Sequence, residues 1–214
     1  MLDRFGPALY MGDAHADDPP CRPPLTDEVR PRLARSSLER GSHKMTPLVA
    51  LALSIGALGG IATAIYLKTG MAIWAGFIAW ACFFHSGGDG EALKKTILGN
   101  LFGIFCAAVA AVLLLGSVGA SLGGAAAPVI VGVTVFGMVM GAHLKPFSTI
   151  PASVYGYAAT FAAILMAAQA VVVGDLMVVG ITGNPVLRVA ISMIVGALFG
   201  IASAKLAGAL TKKA

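Results

Sequence analysis

Gly60-Ile-Ala-Thr-Ala-Ile-Tyr-Leu-Lys-Thr-Gly-Met-Ala-Ile-Trp-Ala-Gly-Phe-Ile-Ala-Trp-Ala-Cys-Phe-Phe84 occurs twice in this chain, the second time in altered form. Sliding it by 77 positions lays it without a gap over Gly137–Phe161. Seven of the 25 aligned pairs are identical: Gly60/Gly137, Leu67/Leu144, Lys68/Lys145, Ile73/Ile150, Ala75/Ala152, Ala81/Ala158 and Phe84/Phe161. Further on, at an offset of 97, Ile97–Ile104 matches Ile194–Ile201 at six of eight positions. The change of offset from 77 to 97 places a 20-residue insertion between the fifth and sixth apolar segments. Apolar helices resemble one another by composition alone, but an ungapped run through a helix, a Leu-Lys turn and the next helix argues for a repeat. Each unit holds three apolar segments and so crosses a membrane an odd number of times. Its second copy therefore runs upside down, as an inverted repeat of the kind common among solute transporters.

Composition agrees with a membrane-embedded chain. The sequence is 57% hydrophobic and 12% charged, and 14 of its 25 charged side chains fall in residues 1–44. The other 170 residues hold only Asp89, Glu91, Asp175 and eight Lys or Arg, too few to cover a water-soluble domain. The net charge of +5 belongs to that apolar part, so it reports membrane topology and gives no sign of a nucleic-acid partner. Residues 1–44 are rich in Pro, Arg and Asp and lack both a hydrophobic period and a signal-peptide stretch. They are expected to be a disordered cytoplasmic tail ahead of a membrane domain at 45–214, with translation starting at Met45 as the alternative. Cys21, Cys82 and Cys106 have neither metal nor redox spacing.

The expected fold is all-α, a polytopic integral membrane protein with about six transmembrane segments in a 3+3 inverted repeat. The segments are Pro47–Leu67, Met71–Phe84, Thr96–Gly116, Ala125–Ala142, Ile150–Val173 and Val186–Leu210. Crossing the hydrocarbon takes roughly 20 helical residues, so the second segment is short. With the amino terminus inside, the cytoplasmic ends collect Arg40, Lys44, Lys94, Lys95, Lys145, Lys212 and Lys213, leaving Lys68 as the basic residue outside. Both termini are then cytoplasmic.

Small residues mark the helix faces. Gly56/Gly60, Gly99/Gly103, Gly137/Gly141 and Gly196/Gly200 are each four apart, a spacing that lets helix backbones touch or serves a homo-oligomer. The second segment ends in Phe83-Phe84-His85-Ser86-Gly87-Gly88-Asp89-Gly90. That is either a simple turn or a re-entrant end with free carbonyls, Phe83 and Phe84 forming a constriction. The fifth segment opens with Pro151, suited to a first turn behind a Ser148 or Thr149 cap. Ser153, Tyr155 and Tyr157 then offer hydroxyls beside Gly156. Trp80 aligns with Tyr157 in the repeat, which suggests paired aromatics near the pseudo-symmetry axis; anchoring at the lipid interface is the competing reading. Arg188 and Lys205 suit snorkelling to opposite interfaces, with Asp175 as a conceivable partner of Arg188. No carboxylate inside a span suggests proton or sodium coupling. Catalytic triads, metal clusters and phosphate loops are missing from the sequence, so neither an enzyme nor a cofactor is expected.

Trp74-Ala-Gly-Phe-Ile-Ala-Trp-Ala-Cys-Phe-Phe84, Gly87-Gly88 and Ile150-Pro-Ala-Ser-Val-Tyr-Gly-Tyr157 resemble the bacterial inner-membrane domain-of-unknown-function 1097 family, over most of Met45–Ala214. The resemblance implies a multipass protein of a bacterial inner membrane and supplies no substrate. The residues themselves lead to a small-solute channel or facilitator, embedded in the lipid bilayer, with a path beside the second and fifth segments. A membrane scaffold or accessory subunit that binds a partner through glycine faces is the alternative.

Overall fold

The Thr46 hydroxyl accepts from the Val49 backbone N–H at 3.3 Å, and Pro47, whose missing N–H costs nothing at that position, follows it. Together they start α1 (Pro47–Thr69), which Gly70 ends in the left-handed region at φ 71°. In this computed structural model the described residues are 45–167 and 171–213, without the side chains of 212 and 213. The readings made for residues 1–44 lie outside them, as do the side chains of Lys212 and Lys213 that served as basic markers.

Six further α-helices follow: α2 (Ile73–His85), α3 (Gly90–Leu115), α4 (Ser117–Leu122), α5 (Ala126–Met140), α6 (Ile150–Leu165) and α7 (Pro185–Lys213). Short 3-10 turns carry the chain between some of them, and no strand occurs among the described residues. Asp89 caps α3, its carboxylate accepting from the Ala92 N–H at 2.7 Å. Asn184 caps α7 by accepting from the Val186 and Leu187 N–H groups, while its own NH2 donates to the Leu176 and Val178 carbonyls. One side chain thus fixes both the start of α7 and the loop before it.

Among the described residues, four stretches are long and apolar enough to cross a membrane: Pro47–Thr69, Gly90–Leu115, Ser117–His143 and Pro185–Thr211. Six spans were expected. The second and fifth segments form helices of 13 and 16 residues, or about 20 and 24 Å, short of the ~30 Å hydrocarbon. The fifth segment was expected to continue to Val173, but α6 stops at Leu165. Beyond it comes a β-branched run, Val171–Val173, in which Val172 is extended at φ −109° and ψ 164°. Pro151 lies in the first turn of α6 as expected, whereas Thr149, at the cap position, makes no side-chain capping bond.

The two short helices are the most enclosed elements. α2 packs chiefly on α7, and α6 chiefly on α3. Around the centre, Ala75 and Ala79 of α2, Ile104 of α3, Ala159 and Ala163 of α6, and Val189 and Met193 of α7 form one buried cluster. A second joins Ala62 and Tyr66 of α1 to Trp80, with Leu58, Phe84 and Phe199 against it. A third joins α3, α5 and α6 through Ala107, Ile130, Met138 and Tyr157, with Phe102, Val135 and Phe161 against it. α1 and α5 form the rim and present Leu53, Ile61, Leu67, Val133 and Phe136 outward. Such a belt is unworkable in water and natural in lipid.

Candidate functional site

Two crossings organise the interior, and both rest on glycine. At the α2–α7 crossing a Cβ on Gly196 would run into the Gly76 carbonyl, and one on Gly200 into the Phe83 ring. At the α3–α6 crossing Gly99 meets Ala152, Gly103 meets the Ser153 carbonyl and Tyr157 N–H, and Gly156 meets the Asn100 carbonyl. Gly141 lies against the Phe102 ring. Gly56, Gly60 and Gly137 face open space, so no packing inside this chain depends on them.

The α2–α7 crossing pairs its polar groups. The Tyr66 hydroxyl donates to the Ser192 carbonyl at 2.6 Å. The Ser192 hydroxyl accepts from the Ala72 N–H at 2.9 Å and donates to the Arg188 carbonyl at 2.6 Å. Further along, the Trp80 indole N–H donates to the Ser203 hydroxyl at 3.1 Å, and Ser203 donates to the Gly200 carbonyl at 2.7 Å.

The α3–α6 crossing does not. Asn100 is 1% exposed and Ser153 2%, yet the Asn100 Oδ1, its Nδ2 and the Ser153 Oγ have no hydrogen-bond partner. Leaving such a group unpaired costs about 1–3 kcal/mol each. Arg188 Nε is likewise unpaired, on a half-buried residue one turn into α7. Polar contacts continue from the α3–α6 crossing towards one end of the bundle. There His85 Nδ1 lies 3.0 Å from the Tyr155 hydroxyl, and the Thr96 hydroxyl donates to Ser86 at 3.4 Å.

The residues singled out in sequence therefore separate. His85, Ser153, Tyr155 and Gly156 belong to the α3–α6 side, whereas Trp80 and Phe83 pack into the α2–α7 side. Trp80 and Tyr157 are not a pair. Trp80 stacks on Phe77 and Phe199, while Tyr157 stacks on Phe161 and shares a 2.8 Å hydrogen bond with Thr134. Phe84 is half-buried with its ring edge on Phe83, and Pro151 is exposed. Gly87 and Gly88 occupy positive φ, at 123° and 74°, in a turn whose N–H groups return to the Phe84 and Phe83 carbonyls. Those two carbonyls are occupied within the turn that ends α2.

Sequence reasoning missed Asn100, although a lone carboxamide in the third apolar segment was there to be seen. Asp175 does not approach Arg188 as a partner; its carboxylate accepts from the Val172 N–H, and the one ion pair among the described residues joins Glu91 to Lys94 at 2.9 Å. A groove between Phe105, Val109 and Val112 of α3 and Leu176, Met177 and Val186 is almost wholly apolar and offers a polar solute nothing.

Apolar helices long enough to cross a bilayer, a lipid-facing rim and an interior closed by glycine define a multipass, all-helical membrane protein. More particularly, the chain belongs to the family described as protein of unknown function (DUF1097), whose model matches residues 52–208. No curated protein and no solved structure matches the chain.

Proposed function

We propose that this protein is a small-solute facilitator of a bacterial inner membrane, built as an inverted repeat, with its path along the α3–α6 crossing. The observation that carries this reading is the matching of environments across the repeat. Leu58, Trp80 and Phe84 share one cluster, and Val135, Tyr157 and Phe161, each 77 positions on, share another. Phe199 joins the first and Phe102 the second, 97 positions apart. The packing follows the same exchange. The first unit's outer and short helices, α1 and α2, lie on α7, and their counterparts α5 and α6 lie on α3. Two units that clasp one another in this manner can rock or part along their shared interface. Lys94 and Lys95 near the start of α3 and Lys145 ahead of α6 support a cytoplasmic placement of that end of the bundle and of both termini.

The test is solute entry into proteoliposomes, followed by stopped-flow light scattering across small neutral and anionic solutes. Entry faster than into empty vesicles supports the reading; a whole panel indistinguishable from empty vesicles removes it. One observation favours a second reading, a scaffold that binds another helix: Gly56 and Gly60 of α1 face outward with nothing against them. Association lost on Gly56→Leu and Gly60→Leu, in a protein that still folds, would favour it.

A further inference from the structure

The three unpaired atoms at the α3–α6 crossing state what chemistry is missing there. Asn100 Oδ1 asks for a donor, Asn100 Nδ2 for an acceptor, and the Ser153 hydroxyl takes either. Both residues sit in the contact itself: the Asn100 backbone lies against Gly156, and the Ser153 carbonyl against Gly103. Inside a bilayer no bulk water reaches such groups, whereas Tyr66, Ser192, Trp80 and Ser203 at the α2–α7 side all find partners.

Charge and size narrow the ligand. The nearest ionised groups on α3, Glu91, Lys94 and Lys95, are exposed at its start, and Glu91 is already paired with Lys94. An ion at the crossing would find no countercharge on α3, which favours an uncharged ligand. Helix backbones touch at Gly103 and Gly156, where even one added carbon would collide, so only a small ligand suits this crossing. Resting on the facilitator reading, we propose that the α3–α6 crossing binds a small uncharged solute carrying both a donor and an acceptor, a primary amide or a polyol, through the Asn100 carboxamide and the Ser153 hydroxyl. The Thr96–Ser86 contact and the exposed His85–Tyr155 contact supply further polar groups towards one end of the bundle.

The experiment measures acetamide, glycerol and water entry into proteoliposomes of wild type, Asn100→Leu and Ser153→Ala, with each variant's melting temperature and gel-filtration profile taken in detergent. Acetamide or glycerol should enter wild type faster than empty vesicles and slow by about tenfold in Asn100→Leu, the worth of one well-placed polar contact. Ser153→Ala should slow entry less. Equal solute entry through wild type and Asn100→Leu overturns the site and leaves the facilitator reading standing. Accelerated entry of water alone overturns the solute class. Should nothing exceed empty vesicles, the facilitator reading fails and the melting temperature decides the site. Acetamide that raises it in wild type more than in Asn100→Leu upholds binding, and an equal response overturns it.

Discussion

The α2–α7 and α3–α6 crossings begin from the same materials and end in different states. Each brings a glycine-faced long helix onto a short one, close enough that backbone meets backbone at Gly196–Gly76 and at Gly156–Asn100. On the first, serines at 192 and 203 accept from the Ala72 N–H and the Trp80 indole and return their protons to carbonyls. On the second, a buried carboxamide and a buried hydroxyl are left with nothing to bond. The contrast separates what holds the fold from what the fold holds. Polar side chains at the paired crossing act as fasteners, whereas those at the other add nothing to stability as they stand and cost what their desolvation costs.

Five substitutions test the contrast. The largest effect is expected at the paired crossing, where Gly196→Val drives a Cβ into the Gly76 carbonyl, a backbone atom that cannot swing aside. A loss of about 3 kcal/mol or more follows from such overpacking, read as a fall in melting temperature and in monodisperse yield; a well-behaved variant would show the crossing to be looser than described. Next comes Ser192→Ala, which strands the Ala72 N–H and should cost about 1–3 kcal/mol by thermal unfolding. Its counterpart Ser153→Ala should cost nothing and leave stability up to about 1 kcal/mol higher, because an unpaired buried hydroxyl leaves the interior. Equal costs for the two serines would erase the distinction between the crossings. Asn100→Leu should likewise raise stability by about 1 kcal/mol as unpaired groups leave the interior; a large destabilisation would reveal a bond that Asn100 makes in the folded protein. The smallest effect belongs to Gly137→Leu on the open rim of α5, within about 0.5 kcal/mol.

Much of the fold was legible because it rests on local signals. Pro47 and Pro185 mark two helix starts, the brevity of the second segment is plain, and the jump in repeat offset falls where the chain leaves α6 and travels to Asn184. Pairing was not legible, since nothing near α1 in sequence says that it lies on α7. Glycine spacing was equally mute. Gly56/Gly60 and Gly99/Gly103 read alike, and only the neighbours distinguish an outward face from a closed contact. The site was half legible. Ser153, Tyr155, Gly156 and His85 announced themselves by residue type, but Asn100 and Asn184 carry the same side chain to opposite ends. Asn184 spends its whole capacity on a helix cap and a loop, while Asn100 spends none. A single sequence does not report whether a carboxamide is satisfied. Trp80 and Tyr157 misled for a related reason: positions that align in sequence need not meet in space, and these two lie in separate clusters.

The partnership of α1 and α2 with α7 also sets the order in which this protein can be completed. Tyr66 meets Ser192 across 126 residues of chain, and Trp80 meets Ser203 across 123. During synthesis α1 and α2 enter the bilayer with their lasting neighbour still unmade. Each persists meanwhile because a helix satisfies its own backbone in lipid. α5 and α6 face no such wait, since α3 has already been made when they arrive. The half that is made first is therefore the last to settle. A chain halted before α7 would leave the Trp80 indole and the Gly76 face bare in the membrane, a visible mark by which a cell's surveillance machinery could tell an unfinished copy from a finished one.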